Sequence, residues 1–562
     1  MYLKKKKHLE LNKKIIVTAA LPYANGEIHL GHVASTYLPA DIFVKFLKLK
    51  HYEAFYICAT DDYGTPILIR AEQERKKPED YVAYWNERDY KDFKDLGIDF
   101  DFFYKTSSKE NEEMAQYFFK ELYKKNYIYK KKILQPYCEY DRKFLPDRYV
   151  IGTCPYCKAE NQYSDGCEKC GKAFEPGEVL DPRCALCGKE PTNRETEHYF
   201  FALSRFSYKL EEWLKENQNL QEEVKNYVLN WIKNGLKDWD ITRDISWGIP
   251  IPLDEAEGKV LYGWFENHLC YISSTLKYLK EKKMDGKTFW NSSIIYHFIG
   301  KDIVYHHYLF LPAMRLGMDE EYKLPDYIPT RGHLLLHNQK FSKSRGWYVS
   351  LREYLDSFPA DYLRFYLASI TPYSQTDVNF DWDEFLIKVN NELVANVGNF
   401  IYRTLSFIYN RLKGKVPEPK NLDKLDEELV EEMRRVKEEA ENRIINNEIE
   451  KGLKRILEFS DKCNRYFQQK EPWAREENVA NCLFYSINAV KCLSLLLYPY
   501  LPFSCRVLWT QLNLKDLIHE GWDRADELSI KAGHEISKPF PLFKKIDKVD
   551  IERQKRKLGR IG

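Results

Sequence analysis

The chain has 562 residues, of which 44% are hydrophobic and 31% are charged. Its length exceeds the ~50–250 residues of a typical domain, so we expect three or four packed units of a soluble globular protein. The net charge is only +2, so any grip on a polyanion must come from local clusters of charge. No stretch of the sequence approaches the ~20 apolar residues of a membrane span, and we predict a cytoplasmic protein without membrane contact.

Strand and helix patterns alternate in the first and middle parts of the chain. The apolar runs at 14–21, 54–59 and 294–299 are predicted to be buried strands, and a helical pattern covers 30–50. Pro39 lies inside that pattern, so we expect a kink or local break there. The alternation favours a doubly wound parallel sheet, which binds ligands beyond the carboxyl ends of its strands.

The composition changes twice along the chain. From about 129, cysteines, glycines and prolines crowd together as in a metal-stapled insertion, and from about 385 the pattern is almost wholly helical, as in a bundle. We therefore predict an α/β fold with a Rossmann-like parallel-sheet domain, a zinc-knuckle insertion and a C-terminal α-helical bundle. The predicted units are a basic tail (1–13), the first half of the sheet domain (14–128), the insertion (129–235), the second half (236–384), the bundle (385–550) and a basic C-terminal tail (551–562).

Two histidines stand three residues apart at a strand-to-helix junction, in His29-Leu30-Gly31-His32. At a helix start they project on one side of the first turn, beside unpaired backbone N–H groups and the positive end of the helix dipole, which suits a phosphate. Gly31 leaves room for a ligand to lie against the backbone. The alternative is a pair of ordinary surface or core histidines.

A second polar segment, KFSKSRG at 340–346, lies far downstream. Lys340 and Lys343 supply point charges for phosphoryl oxygens, and the serines and glycine permit a loop to close over a triphosphate. The alternative is a basic surface loop.

Taken together, in this order and on this alternation, the two segments resemble the HIGH and KMSKS signatures of class I aminoacyl-tRNA synthetases, with one apolar residue exchanged in each. The resemblance implies adenylation, in which an amino-acid carboxylate attacks the α-phosphate of ATP and releases pyrophosphate. His29, His32, Lys340 and Lys343 would position and neutralise the reacting phosphate together with Mg²⁺.

Longer segments are similar to the methionyl-tRNA synthetase family in particular: 20–26, 58–65, 237–244 and 300–307. By this resemblance the residues that bind methionine are Leu21, Tyr23, Asp61, Trp264, Tyr271 and His307. Asp61 would hold the substrate ammonium group, and Arg243 would join the four signature residues in binding ATP. Aromatic walls suit a polarizable thioether, although plain core packing is the alternative for Trp264 and Tyr271.

The sequence departs from the family in one of these walls. The family usually carries a Glu/Asp-Ala-Pro-Ile-Gly-Tyr run, whereas this chain has Glu266-Asn267-His268-Leu269-Cys270-Tyr271. Asn267 and His268 place polar groups where small apolar ones are usual. This difference alters the fine shape expected for the pocket and leaves the expected class of enzyme unchanged.

Six of the thirteen cysteines form three Cys-x-x-Cys pairs. Two of these pairs, Cys154-Cys157 and Cys167-Cys170, supply four thiolates that suit one structural Zn²⁺, with disulfides as the alternative. The third pair, Cys184-Cys187, has no obvious second pair in the sequence. A second zinc site would need a further ligand such as Cys138 or His198.

By resemblance, the residues of the helical tail that read the anticodon of tRNA(Met) are Asn399, Arg403 and Trp473. The first two are four residues apart and share a helix face, and polar edges with an aromatic face suit single-stranded RNA. The alternatives are an ordinary surface pair and a buried helix-start tryptophan. The resemblance covers about 14–550, and because only a short basic stretch follows, we predict a monomer that uses ATP, L-methionine and tRNA(Met).

Three other interpretations remain open at this point. A leucine, isoleucine or valine synthetase would carry a large editing insertion, and this insertion is too short and too rich in cysteine. A class I nucleotidylyltransferase would not need the helical tail. A zinc-knuckle RNA-binding protein derived from a synthetase would not need both phosphate signatures intact.

Overall fold

A five-stranded parallel sheet forms the centre of the α/β part of this computed structural model, which describes residues 14–164, 167, 169, 170, 174, 178–319, 321–342 and 346–559. Its strands are β1 (Ile15–Ala19), β2 (Ala54–Thr60), β3 (Phe102–Lys105), β4 (Ile294–Gly300) and β5 (Thr330–Arg331), in the order β5-β4-β1-β2-β3. The three predicted strands are β1, β2 and β4, which are nearly continuous apolar runs because helices cover both faces of a parallel sheet.

The order of the strands makes β1 the partner of both β2 and β4. Ile15 aligns with Ala54 on one side and with Ile294 on the other. The middle strand therefore joins two halves of the sheet that are separated by the insertion. The helices of this part that follow the first one are Leu38–Leu49, Thr65–Gln73, Pro78–Asp95, Lys109–Lys124, Gly263–Glu266, Cys270–Glu281, Gly286–Ser292, Leu311–Gly317, Leu351–Leu355 and Ala360–Ile370.

The helix that follows β1 is continuous through the predicted break. It runs as Leu30–His32, a π-helical Val33–Tyr37 and Leu38–Leu49, so Pro39 lies in the first turn of the last segment. The helix therefore continues past Pro39 without a break, and the alternative of a kink stays a prediction. Proline lacks the N–H group that would bond to the preceding turn, and the chain accommodates this by widening that turn.

The cysteine-rich insertion is built on a long antiparallel ribbon. Strand Ile128–Cys138 pairs with Thr192–Phe201 from Ile128 to Tyr137. Between these two strands in the chain lie the short strands Val150–Thr153, Gln162–Tyr163 and Leu180–Cys184. Helices Ser207–Glu216 and Glu222–Lys233 lead back to the sheet domain.

The C-terminal part is helical to about residue 520. Its helices are Trp382–Lys388, the π-helical Val389–Gly398, Asn399–Leu412, Lys424–Ile445, Ile449–Lys470, Val479–Leu497, Pro502–Gln511 and Leu517–Glu520. The predicted helical pattern to 550 is wrong for 521–547, which has no regular element before the last helix, Lys548–Lys555. Gly521 and Gly533 have positive φ angles in this segment, and prolines at 539 and 541 break a helix.

One helix, Glu476–Leu497, is long and apolar enough to cross a membrane by length and composition, which the sequence had not suggested. In the structure, 94% of its most apolar window is buried inside the protein. A helix that is apolar on every side is what the centre of a helical domain requires.

A buried arginine joins the sheet domain to the helical part. Arg364 donates to the Asp41 carboxylate (2.7 Å) and to the backbone carbonyls of Gly97, Pro499 and Tyr500 (3.0, 2.7 and 3.0 Å). Both charged side chains are fully buried. Burial raises the pKa of Asp41, but the positive charges of Lys45 and Arg364 outweigh it and hold that pKa below its usual value.

We expect Arg364→Ala to destabilise the protein by about 3–5 kcal/mol, because it removes one of the two cations beside the buried Asp41 carboxylate and the donor to the carbonyls of Pro499 and Tyr500. Chemical denaturation followed by tryptophan fluorescence measures the loss. Arg434→Ala is the matched control, since Arg434 pairs with Glu431 and Glu438 on the exposed face of a helix, and no resolvable change is expected there. Equal effects of the two substitutions would contradict the structural role of Arg364.

Candidate active site

The loops that follow β1, β2 and β4 meet at the carboxyl edge of the sheet and enclose a cavity of about 480 Å³. This is within the usual range for a small-molecule site. The sequence-predicted residues that line the cavity are Leu21, Tyr23, His29, His32, Asp61, Trp264, Tyr271, His307 and Lys340. The fold thus places residues of both signatures, and the residues predicted to bind the amino acid, around one cavity.

The two histidines of the first signature stack on each other at the helix start. The ring centroids of His29 and His32 are 3.6 Å apart, and the backbone N–H of His29 donates to Nδ1 of His32. Gly31 suits the same packing, because a Cβ atom there would lie 3.0 Å from the His29 ring and would push against it. The glycine lets the imidazoles sit flat over the first turn, where the helix dipole favours an anion.

The second signature reaches the first through direct contact. The ring of Phe341 stacks on His29 with centroids 4.9 Å apart, and Lys340 lines the cavity beside it. Backbone pairing fixes this approach, since the N–H of Leu30 donates to the carbonyl of Val349 just after the loop. Lys343 lies outside the described residues. The signatures therefore face the same space, as a shared triphosphate site requires.

A buried carboxylate occupies the part of the cavity formed by the end of β2. Asp61 accepts a hydrogen bond from the Asn267 amide (3.0 Å). Burial raises the pKa of Asp61 to about 7; the Asn267 hydrogen bond opposes this rise and the neighbouring charge of Asp62 adds to it. Burial likewise raises the pKa of Asp62 to about 6 and that of Glu266 well above its usual value. A cationic group placed beside Asp61 would offset the free-energy cost of ionising this buried carboxyl group.

Aromatic rings form the adjoining wall. Trp264 stacks on His306 at a centroid distance of 3.8 Å. The Tyr271 hydroxyl and Nε2 of His307 are 3.0 Å apart, and Nδ1 of His307 is 3.0 Å from the carbonyl oxygen of Ile303. Burial lowers the pKa of His307 to about 4, so its ring is neutral at physiological pH. The wall is therefore uncharged and polarizable, which suits an apolar or thioether side chain.

Two polar residues in the cavity were missed by sequence reasoning. Asp302 and His333 both line it, and Nε2 of His333 is 3.2 Å from Oδ1 of Asp302. Burial raises the pKa of Asp302, but the hydrogen bond and charge of His333 outweigh it and lower that pKa. The position of Asp302 directly after β4 was the available signal, whereas nothing local marks His333.

Arg243 does not line the cavity, and its predicted contact with ATP stays a prediction. Its guanidinium lies over the Tyr262 ring, 3.8 Å from the ring centroid, and donates to the carbonyl of Thr242 (2.7 Å). Its position on the short strand Thr242–Arg243 directs it towards these neighbours.

The first cysteine cluster joins the two predicted pairs. The sulfurs of Cys154, Cys157, Cys167 and Cys170 all lie within 4.8 Å of one another. Sulfurs around a tetrahedral Zn²⁺ are about 3.8 Å apart, and here Cys154 and Cys170 are 3.8 Å apart and Cys157 and Cys167 are 3.5 Å apart. The donor set and its spacing fit a structural metal ion.

In a second cluster, an aspartate and a further cysteine join the third Cys-x-x-Cys pair. Cys138, Cys184 and Cys187 group with Asp141 within the same 4.8 Å limit, and Oδ2 of Asp141 is 3.1 Å from the sulfurs of both Cys138 and Cys184. The ligand predicted at Cys138 is present in this group. His198 is not, because its two ring nitrogens face Asp240 (2.6 Å) and Asp244 (2.9 Å).

The predicted anticodon residues lie together on the helical part. The guanidinium of Arg403 lies 4.7 Å from the centroid of the Trp473 ring, which is 44% exposed. Asn399, one turn earlier on the same helix, donates to Oδ1 of Asn464 (3.0 Å). An exposed indole with an arginine over it is a surface on which an unstacked base can lie.

Comparison with known proteins gives two family matches that together span nearly the whole chain. Residues 15–405 match the family described as tRNA synthetases class I (M). Residues 416–561 match the anticodon-binding domain of methionyl tRNA ligase.

Individual relatives agree with these matches. The chain is 42% identical to the methionine–tRNA ligase of Methanopyrus kandleri, over 96% of this chain and 81% of that protein, and 43% identical to that of Pyrococcus furiosus, over 95% and 75%. In fold it is similar to a Mycobacterium tuberculosis methionyl-tRNA synthetase solved with methionyl-adenylate, with a TM-score of 0.78, 22% identity, and coverage of 94% of this chain and 99% of that one. On the two matched segments and these relatives, the chain belongs to the methionyl-tRNA synthetase family of class I aminoacyl-tRNA synthetases.

Proposed function

We propose that the chain is a methionine–tRNA ligase. It activates methionine with ATP to give methionyl-adenylate and pyrophosphate, and it then transfers methionine to the 3′-terminal adenosine of tRNA(Met). The observation that carries the proposal is the single cavity in which both phosphate signatures and the Asp61 carboxylate face one another.

The first step needs positioning more than it needs a protein nucleophile. The Asp61 carboxylate holds the substrate ammonium, which leaves the substrate carboxylate as the attacking group on the α-phosphate. The imidazoles of His29 and His32 and the ammonium of Lys340 donate to phosphate oxygens as negative charge builds up on them. Mg²⁺ arriving with ATP supplies further positive charge to those oxygens. We assign Lys343 to the same task from its place in the signature.

The predicted units carry separate tasks in this scheme. The halves 14–128 and 236–384 form the catalytic domain, 129–235 shapes the approach of the acceptor end of the tRNA, and 385–550 reads the anticodon through Asn399, Arg403 and Trp473. The exposed pairing of Arg403 with Trp473 supports the last assignment.

We further propose that Zn²⁺ fills the four-cysteine cluster and that a second Zn²⁺ fills the cluster with Asp141. Both donor sets suit zinc, which accepts thiolate and carboxylate ligands. A cytoplasmic location remains a prediction; none of the thirteen cysteines forms a disulfide in the described part of the chain. The monomeric state also remains a prediction, which sedimentation of the purified chain measures.

Amino-acid-dependent exchange of pyrophosphate into ATP tests the proposed reaction. We expect exchange with methionine and none with leucine, isoleucine or valine. His32→Ala should lower the exchange rate by about 100-fold with little change in methionine binding, because the imidazole acts on the phosphate and not on the amino acid. Exchange with leucine or valine instead would show that the chain is a related synthetase. A chain that binds tRNA but exchanges with no amino acid would be a binding protein only.

The raised pKa of Asp61 predicts the pH dependence of methionine use. The carboxyl must be ionised to pair with the ammonium, and with a pKa of about 7 it becomes protonated as the pH falls through neutrality. We expect kcat/KM for methionine to fall about fivefold between pH 7 and pH 6, because the ionised fraction of Asp61 drops from about one half to about one tenth. The KM for ATP serves as the control and should change little. A flat methionine profile from pH 6 to pH 8 would contradict the assignment of Asp61.

Metal analysis of the purified chain tests the two cysteine clusters. We expect two zinc ions per chain, reduced to one by Cys157→Ser and to one by Cys187→Ser, since each substitution removes a ligand from one cluster only. Cys505→Ser is the control because that thiol is buried in the helical core, and it should leave the zinc content unchanged. If Cys187→Ser retains two zinc ions, the second site is wrong.

A further inference from the structure

His268 is a buried imidazole in the wall of the cavity with neither ring nitrogen satisfied. Its side chain is 1% exposed, it lines the cavity, and neither Nδ1 nor Nε2 has a hydrogen-bond partner within the protein. A buried polar group without a partner costs free energy comparable to a lost hydrogen bond. A ring in this position is therefore suited to a partner that enters the cavity.

The surroundings of His268 keep its ring neutral. Its centroid lies 5.0 Å from His307, 5.7 Å from both His306 and Trp264, and 6.1 Å from Phe310. Burial, followed by the charges that His307, His306, Arg315 and His297 would carry, lowers its pKa well below the usual value. A neutral imidazole offers one N–H donor and one acceptor.

His307, the ring nearest to His268, does not compete for the same role, and His306, whose Nδ1 is also buried without a partner, does not line the cavity. Both nitrogens of His307 are committed, to Tyr271 and to the carbonyl of Ile303. Among the described residues, His268 is thus the ring in the aromatic wall with its donor and acceptor both free to meet a substrate side chain.

Asn267 offers a matching unsatisfied acceptor next to Asp61. Its Nδ2 donates to Oδ2 of Asp61 (3.0 Å), whereas its Oδ1 is buried without a partner. An ammonium group has three N–H donors, more than one carboxylate oxygen accepts. The amide therefore holds Asp61 in place and leaves its own oxygen for a second of those donors.

We propose that Asn267 and His268 are specificity-determining residues of the amino-acid site, a role that rests on the proposed function. Asn267 accepts from the substrate ammonium beside Asp61, and His268 forms a hydrogen bond with a polar atom of the substrate side chain. The pocket consequently favours side chains that carry an acceptor at the sulfur position. It prefers methionine to norleucine, which has a methylene group there, and it also admits methionine sulfoxide, whose oxygen is a stronger acceptor.

The test is pyrophosphate exchange with methionine, norleucine and methionine sulfoxide, by the wild-type chain, His268→Leu and His268→Gln. Ratios of kcat/KM within each variant cancel any loss of folded protein. We expect His268→Leu to reduce the preference for methionine over norleucine about fivefold, because the imidazole can no longer donate to the sulfur atom. The ratio of kcat/KM for the sulfoxide to that for norleucine should fall about 30-fold, because the stronger hydrogen bond to the sulfoxide oxygen is lost. His268→Gln keeps a donor and an acceptor and should retain most of both preferences. His306→Leu, which removes the imidazole stacked on Trp264 but outside the cavity lining, should leave both ratios unchanged.

The contribution of Asn267 is measured through the ammonium group, which all three amino acids share. Asn267→Ala should raise KM about tenfold for all three amino acids alike, since every one carries the same ammonium group. Exchange with methionine but with unchanged ratios in His268→Leu would overturn the role of His268 and leave the proposed function standing. A change of ratio in His306→Leu equal to that in His268→Leu would overturn it as well. Absence of methionine exchange by the wild-type chain would overturn both the proposed function and this inference.

Discussion

The parallel pairing of β1 with β4 is the constraint on which the site depends. It aligns Ile15 with Ile294 across the insertion, so that loops from both halves of the domain leave the same edge of the sheet. The backbone N–H of Ala20 extends the pairing by donating to Phe298 just past the strand end. Without this register, His29 and His307 would belong to separate surfaces and would not share a cavity. A parallel pair needs a long crossover, which this fold supplies with a whole insertion.

Burial shifts the pKa values of the carboxyl groups and of the imidazole in the cavity in opposite directions. The carboxyls of Asp61, Asp62 and Glu266 have raised pKa values, while the imidazole of His307 has a lowered one. Low dielectric disfavours every isolated charge, so the wall stays neutral, and a cation beside the carboxylates would lower the cost of ionising them. The arrangement favours a substrate with an ammonium group at one end and an uncharged side chain at the other.

The parts outside the sheet domain are held by different physical means. The described residues of the knuckle region contribute to a small apolar cluster around Leu145 and Val150, and their cysteines gather in two metal-compatible groups. A small unit with little apolar area needs such links. The helical part shares a large apolar core with the sheet domain, and the buried contact of Arg364 with Asp41 fixes their mutual position.

The sequence by itself determined the central strands, both phosphate signatures and the Cys-x-x-Cys pairs, because each depends on residues close together in the chain. Only the tertiary structure decided that Asp141 completes the second cluster, that His333 reaches the cavity, and that the amide of Asn267 bears on Asp61. It also set Arg243 against Tyr262, outside the cavity lining. These contacts join residues separated by tens to hundreds of positions, and no local pattern of polarity encodes which distant neighbours the packing of strands and helices will bring together.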